Sequence, residues 1–324
     1  MLEELKKNWF VLVVALVLLV AAGFYVKDQT QTKVKGKKIK GEQVVFSIAD
    51  ENYFMKDYEE KLNEILGDSA LYQIFERELL SSLELDEDRE SDAKLRADTT
   101  LTYVKQAQGK AGLESLDKEL KALGYEGVDE LQEYFKNIAK YEVLVTEHFM
   151  NNYDKLFKEY VDTKKPRKVS HILVKYEDPA NPTEEELEKV KEIDKALADG
   201  KKFAEVAAEK TDDTASKENG GYLGVVDADT TFVDSFKEAM LTLKKGETSD
   251  WVESEYGVHL IYVEETDFEK LLSDPEFFSE QSAEHSDEVA KALWNQTQKV
   301  EIEFVDPDVE KRLKEFLKVD KEAA

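Results

Sequence analysis

Apolar residues recur at three- and four-residue spacing along most of the chain, which is the period of an amphipathic helix. The pattern fills most of residues 44–161, after a short strand-like run at 44–48, and it returns over residues 268–317. Between these helical parts, residues 168–264 switch between strand-like and helix-like runs in the order β-α-α-β-α-β-β. The pattern therefore predicts an α+β domain inserted in an all-helical domain that is built from both ends of the chain.

Aromatic residues dominate the apolar stripe of residues 131–160, whose spacing predicts one long amphipathic helix that ends before Pro166. The stripe either packs in a helical core or lines an apolar cradle for unfolded polypeptide. Near the carboxyl end, residues 300–304 alternate as a short strand, and Asp306-Pro307 caps a last helix. This tail is too short to fold alone, so we expect it to dock on the earlier helices.

The longest uncharged run of the chain lies at residues 9–26. As a helix, its eighteen residues would rise ~27 Å, about the thickness of a membrane's hydrocarbon core. We therefore predict a transmembrane anchor, with residues 1–8 as a short cytoplasmic tail and residues 27–43 as a solvated linker. A cleaved signal sequence is the alternative, because Val20-Ala21-Ala22 resembles a cleavage site.

Charge and composition exclude several classes of function. The chain has 324 residues, with 45 Lys and Arg against 72 Asp and Glu, a net charge of −27. This charge repels nucleic acid, so no nucleic-acid partner is expected. There is no cysteine, which excludes disulfides, thiolate metal sites and a Cys nucleophile. Motifs for a serine nucleophile, a metalloprotease or a phosphate loop are also missing, so we expect neither a cofactor nor a metal.

Two of the four histidines lie inside apolar strand-like runs, where a polar side chain needs a partner. His171 and His259 can face the same side of one sheet and share a hydrogen bond. From composition alone, two unrelated core histidines are the default interpretation, whereas a metal site lacks a third ligand at suitable spacing. His148 and His285 lie in charged helical sequence and are predicted to be solvated.

The central stretch resembles the parvulin-type peptidyl-prolyl cis-trans isomerases in seven short motifs, in order and spacing. These motifs are Ser170-His171-Ile172-Leu173-Val174, Phe203-Ala204-x-Val206-Ala207, Asp212-x-x-Ala215-Ser216-Lys217, Gly220-Gly221-x-Leu223-Gly224, Phe232-x-x-x-Phe236-x-x-Ala239, Gly246-Glu247 and Tyr256-Gly257-x-His259. With an apolar run before it and helical parts on both sides, the whole chain resembles the PrsA-type extracytoplasmic foldases. Its helical part resembles the chaperone domain of that family and of SurA.

The resemblance implies a set of site residues. The residues implied for catalysis are His171, Asp212, Ser254 and His259, with Asp213 as the one-residue alternative to Asp212. The residues implied for holding the prolyl ring are Leu223, Phe232 and Phe236. One departure is Tyr222, which stands where an Asp is common in the family. Acidic residues follow the first strand where phospho-specific members carry arginines, so phosphorylated substrates are not expected.

The resemblance also implies an organisation and a function. It divides the chain into a helical chaperone part at 44–165, a parvulin domain at 166–265 and a second helical part at 266–324. It implies a single-pass protein of the cell membrane whose body lies outside the cytoplasm. There it would isomerise X-Pro bonds in unfolded exported polypeptides and help them fold. The alternatives are a non-catalytic chaperone or an assembly factor with an inactive parvulin domain, and a homodimer stays open.

Overall fold

The computed structural model describes residues 38–48, 51–300 and 302–319. The predicted anchor at residues 9–26 lies outside the described residues. Within the described part, no helix combines the length and the apolar character needed to cross a membrane. The chain divides after Phe75 into two compact units, and each is described by itself.

Helices account for most of the described chain. They are α1 (Met55–Leu66), α2 (Ser69–Ser81), α3 (Glu87–Ala122), α4 (Leu131–Asn151), α5 (Tyr153–Leu156), α6 (Lys158–Lys164), α7 (Glu184–Ala198), α8 (Phe203–Lys210), α9 (Asp234–Thr242), α10 (Phe268–Leu271), α11 (Pro275–Glu284), α12 (Ser286–Lys299) and α13 (Pro307–Leu317). The strands are β1 (Lys38–Ile39), β2 (Glu42–Ile48), β3 (Glu51–Phe54), β4 (Arg167–Lys175), β5 (Tyr222–Val226), β6 (Val252–Ser254) and β7 (Gly257–Glu265). The predicted combination of helical parts around an α+β domain is confirmed.

The first unit is a small antiparallel sheet followed by α1. Its strands lie in the order β1-β2-β3, and α1 packs against β2 and β3. The strand predicted at residues 44–48 is confirmed as part of β2. The linker predicted at residues 27–43 is wrong at its end, because residues 38–43 form strands β1 and β2 and the turn between them. Gly41 closes that turn with a φ of +91°, a backbone conformation that favours glycine.

The helix predicted over residues 131–160 is broken into α4, α5 and α6. The reason is the packing of Phe157, which is fully buried and lies with its ring centroid 5.1 Å from that of Phe149. Eight residues of a straight helix rise about 12 Å, so the chain must bend to bring these two rings together. Phe157 also lies 4.5 Å from Phe268 of α10, which joins the two helical parts.

The carboxyl-terminal helices dock on the earlier ones, as predicted. The ring of His285 lies 4.7 Å from that of Phe157, and the buried Glu288 of α12 accepts a hydrogen bond from His148 of α4 at 2.8 Å. The prediction that these two histidines are solvated is therefore wrong. The strand predicted at residues 300–304 is also wrong: residues 302–304 have no regular structure, and Phe304 stacks on Trp294.

The central domain is a four-stranded antiparallel sheet in the order β5-β4-β7-β6. One face packs on α7 and α8 through a cluster that includes Ile172, Val174 and Leu260. The opposite face packs on α9 through a cluster that includes Val169 and Ile261. Side chains alternate between the faces of a strand, so His171 and His259 lie on the α9 face, as predicted.

Candidate active site

A cleft of about 490 Å³ opens on the α9 face of the central sheet. Its lining comprises His171, Leu173, Asp213, Leu223, Thr231, Phe232, Val233, Phe236, Tyr256 and His259. Both histidines lie at its floor, because β4 and β7 are paired and Leu173 stands opposite His259 in the register. Their rings are nearly parallel, with centroids 5.6 Å apart. The structure thus brings together the two histidines that the sequence placed on separate strands.

The two rings belong to a chain of hydrogen bonds across the cleft floor. His171 Nε2 lies 2.9 Å from a carboxylate oxygen of Asp213. The Nδ1 atoms of His171 and His259 are 3.4 Å apart, which is a long contact. At the far end, His259 Nε2 lies 2.7 Å from Ser254 Oγ. The interpretation of His171 and His259 as unrelated core residues is therefore wrong.

The groups at the two ends of this hydrogen-bond series determine the tautomers of His171 and His259. A carboxylate only accepts, so the proton of His171 lies on Nε2 and points at Asp213. In the neutral form of His171, Nδ1 is then an acceptor for the Nδ1–H of His259. The Nε2 of His259 must accept from Ser254, whose oxygen in turn accepts the amide N–H of Tyr256 at 3.1 Å. The direction of every hydrogen bond follows from one carboxylate.

The acidic residue of the site is Asp213 and not Asp212. Asp212 lies next to Asp213 but turns away from the cleft, where its carboxylate contacts Lys189 Nζ at 2.6 Å and the amide N–H of Lys175 at 3.0 Å. Those contacts tie α7 to the end of β4. Of the two aspartates that the resemblance left open, the structure thus places Asp213 in the cleft and Asp212 outside it.

Burial and hydrogen bonding act against each other on the two ionisable groups at the cleft floor. Burial alone would raise the pKa of the Asp213 carboxyl, but hydrogen bonds from Ser216, His171 and the Ala215 amide outweigh it and lower that pKa to about 2. Burial, and next the neighbouring His171, lower the pKa of His259 to about 4. The floor at pH 7 therefore combines an anionic Asp213 with a neutral His259.

An apolar wall rises from this floor. Phe236 of α9 is 2% exposed, and its ring stands edge-on to both histidines, 5.7 Å from His171 and 5.4 Å from His259. Phe232 lies 4.8 Å from Phe236, and Leu223 of β5 also lines the cleft. The three residues expected to hold a prolyl ring do line one cleft. Its size and apolar wall suit a small ring.

The sequence interpretation missed several residues of this site. Ser216, which is buried, donates to Asp213, and Thr211 holds the loop by accepting the amide N–H of Leu173 at 3.0 Å. Two signals in the sequence point to these residues. Ser216 belongs to one of the seven motifs, and Leu173 shares a strand face with His171. Among the described residues, no group of three or more His, Asp or Glu side chains is placed to hold a metal ion.

Comparison with known proteins decides the family of this segment. Residues 154–267 match the family described as PPIC-type PPIASE domain. The chain is 33% identical over 217 residues to foldase protein PrsA 3 of Bacillus cereus, across 65% of this chain and 66% of that protein. It is 33% identical over 196 residues to foldase protein PrsA 2 of Listeria monocytogenes, across 56% of this chain and 61% of that protein.

The chain carries a parvulin-type peptidyl-prolyl isomerase domain. All seven motifs of the parvulin domain lie inside the matched residues. The crystal structure of PrsA from Bacillus subtilis aligns with 84% of this chain and 98% of its own, with a TM-score of 0.39 and 22% identity. The matched stretch spans 52% of Clostridium kluyveri PrsA and 66% of the B. cereus protein.

Tyr222 of the parvulin domain contacts the helices that follow the domain. Tyr222 is not among the residues that line the cleft, and it donates a short hydrogen bond to Asp274, just before α11. Lys168 Nζ lies 4.9 Å from the centroid of the Tyr222 ring. Tyr222 therefore joins the parvulin domain to the carboxyl-terminal helices.

Proposed function

We propose that this protein is a membrane-anchored peptidyl-prolyl cis-trans isomerase and chaperone that helps exported polypeptides fold outside the cytoplasmic membrane. The observation that carries the proposal is the cleft itself: an apolar wall above the Asp213–His171–His259–Ser254 series of polar contacts. Two facts support it further, the match to the PPIC-type family and the similarity to proteins named foldase PrsA.

The chemistry needs no nucleophile and no cofactor, because isomerisation breaks no covalent bond. An X-Pro bond rotates slowly since amide resonance imposes a barrier of ~18–20 kcal/mol. The enzyme must bind the twisted amide more tightly than either planar form. Leu223, Phe232 and Phe236 would hold the prolyl ring, while the Asp213 carboxylate disfavours the planar resonance form, whose carbonyl oxygen is negative. Rotation about the C–N bond then becomes easier.

An isomerase assay tests this assignment. We expect the full-length chain to accelerate cis-trans exchange in an Ala-Ala-Pro-Phe peptide, and Phe236→Ala to lower kcat/KM by about two orders of magnitude, since it removes the pocket's main wall. Folding of the variant is checked by its circular dichroism and melting temperature. A wild-type rate equal to the uncatalysed rate would contradict the proposal. If the wild-type chain showed no isomerase activity but suppressed the aggregation of an unfolded client, the result would support a non-catalytic chaperone instead.

The membrane anchor and the extracytoplasmic location are part of the proposal. They are supported by the uncharged run at residues 9–26 and by the acidic body of the chain. Amino-terminal sequencing of the protein recovered from membranes separates the two fates of this run. An intact amino terminus supports the anchor. A terminus that begins after Ala22 would show that the run is a cleaved signal sequence.

A further inference from the structure

Strand β5 forms one edge of the parvulin sheet, and helical residues hold it at both ends. At its start, Tyr222 donates to Asp274, which precedes α11. Just past its end, Asp227 accepts a hydrogen bond from Tyr160 of α6 at 3.1 Å. These two bonds fix β5 between the helical parts that precede and follow the domain.

A cleft of about 340 Å³ remains open between these two contacts. One wall is β5 from Leu223 to Val226, and the other is formed by Tyr160 and by the first turns of α11. Leu223 lines this edge cleft and also the active-site cleft. A polypeptide that places a prolyl ring beside Leu223 can therefore continue directly along β5.

The backbone of β5 can receive such a chain. In an antiparallel pair, alternate residues of an edge strand turn their N–H and C=O groups away from the partner strand. Within the part of the chain that the structure describes, the backbone of residues 223–226 has no hydrogen-bond partner other than β4. An added strand would lie about 4.7–4.9 Å from β5, on the side where the edge cleft opens.

The charge of the edge cleft indicates what kind of chain it accepts. Asp227, Glu276 and Glu280 line it, and none of its described lining residues is Lys, Arg or His. Burial and the facing carboxylates raise the pKa of both Tyr160 and Tyr222, consistent with a negative potential there. A strand that carries basic side chains complements this wall, whereas an acidic strand is repelled.

We propose that the edge cleft binds one flank of the client polypeptide as an added strand on β5, with a preference for basic residues, while the neighbouring prolyl residue occupies the active-site cleft. The inference rests on the proposed isomerase function and deepens it. It explains how a domain with a small prolyl pocket selects among unfolded chains. The helical parts take part in substrate binding because they form the second wall of the edge cleft.

Peptides of different length test the proposal with the full-length chain. The probes are Ala-Ala-Pro-Phe and a twelve-residue peptide that places the same four residues between Lys-containing extended flanks. We expect KM for the long peptide to be about tenfold lower. Amide hydrogen exchange of residues 223–226 should slow when the long peptide binds and stay unchanged with the short one. Equal KM values together with unchanged exchange would overturn the inference.

Two matched controls isolate the strand geometry and the charge. Two sets of long peptides carry N-methyl groups on alternate residues. One set loses the N–H groups that face β5, and the other loses those that face solvent. Only the first set should lose the tenfold decrease in KM. Glu276→Lys/Glu280→Lys should abolish the preference for Lys over Glu flanks. Glu185→Lys/Glu205→Lys, at exposed positions on α7 and α8, should keep it. Equal loss with both N-methylated sets would contradict an added strand.

The outcomes also separate this inference from the isomerase assignment. If the chain isomerises both peptides at the same efficiency, the active site stands and the edge cleft is not a binding site. If it isomerises neither peptide, the proposed function fails. Slowed exchange in residues 223–226 with the long peptide would, in that case, still support polypeptide binding along β5.

Discussion

At the residue scale, the floor of the active site depends on a single anionic side chain. Asp213 orients the imidazole of His171, which sets the hydrogen-bonding direction of His259 and Ser254. The carboxylate is itself held by Ser216 and by the Ala215 amide. A change at Asp213 should therefore reach every polar group of the cleft.

Replacement of adjacent aspartates tests this dependence. Asp213→Asn keeps the size of the side chain but removes its charge and places an NH₂ group where only acceptors fit. We expect kcat/KM to fall by about tenfold or more, equal to at least ~1.4 kcal/mol of transition-state stabilisation. Asp212→Asn is the matched control, and it should change kcat/KM less than about twofold because Asp212 faces Lys189. Equal losses in the two variants would contradict the assignment.

The buried imidazole of His259 predicts a response to acid. Its pKa is about 4 in the folded chain, against 6.5 for an ordinary histidine. Between these values the unfolded chain binds a proton that the folded chain does not, so the free energy of unfolding decreases as the pH falls from 6.5 to 4. The lowered pKa of Asp213, about 2, adds a further loss below 3.8, its ordinary value.

Nuclear magnetic resonance measures this directly. The ring signals of His259 should titrate near pH 4 and report a neutral imidazole at pH 5.5. Between pH 6.5 and 4, the melting temperature of His259→Gln should depend less on pH than that of the wild type, because the variant lacks this proton linkage. A midpoint near 6.5 in the folded protein would show that the ring is solvated.

At the element scale, the double glycine before β5 is required by the packing of its loop. A Cβ atom on Gly221 would lie 2.2 Å from the carbonyl oxygen of His171, and its φ is +82°. Gly224 has a similar φ of +95° but nothing within 4 Å of its Cβ position. The two positions therefore separate backbone strain from steric overlap.

Alanine substitutions at Gly221 and Gly224 measure the free-energy costs of steric overlap and of backbone strain. Gly224→Ala should lower the free energy of unfolding by about 1–2 kcal/mol through strain alone. Gly221→Ala should cost roughly 1–3 kcal/mol more, since either the loop or β4 must move. Urea unfolding at equilibrium gives both values. Equal losses would mean that the loop moves freely away from β4.

Some secondary-structure elements could be predicted from the sequence and others could not. The parvulin sheet followed from period-two runs and a motif set, because each strand carries its own signal. The bend at Phe157 did not, since an apolar stripe continues unchanged through α4, α5 and α6. Asp212 and Asp213 could not be separated either, because local periodicity does not determine side-chain direction in a loop.

At the scale of the whole molecule, a buried carboxylate joins the two halves of the helical part. Glu288 of α12 is 5% exposed and contacts His148, Lys155 and Lys291. Burial would raise the pKa of Glu288, but hydrogen bonds from His148, Lys291 and Lys155 outweigh it and lower the pKa to about 2. Its contribution to stability is thus present above pH 4.5, the ordinary value, and is lost as the pH falls through 2.

Glu288→Gln tests whether this contact holds the tail in place. We expect a loss of about 2 kcal/mol in the free energy of unfolding at pH 7, because the partly buried His148 and Lys291 lose a charged hydrogen-bond acceptor. Glu284→Gln, on the exposed end of α11, is the control and should change stability by less than about 0.5 kcal/mol. A similar small change at Glu288 would show that the helices dock through apolar contacts alone.

The parvulin domain begins and ends on paired strands, with Lys168 opposite Glu265 in the β4–β7 register. A pulling force that enters through the flanking helical parts would load this ladder at its open end. Its hydrogen bonds would then break one after another, like a zipper, and not all at once, as strands sheared lengthwise would. The Phe157–Phe268 contact, which joins the helical parts beside the domain, must separate before this ladder is loaded, so it shields the isomerase domain from such a force.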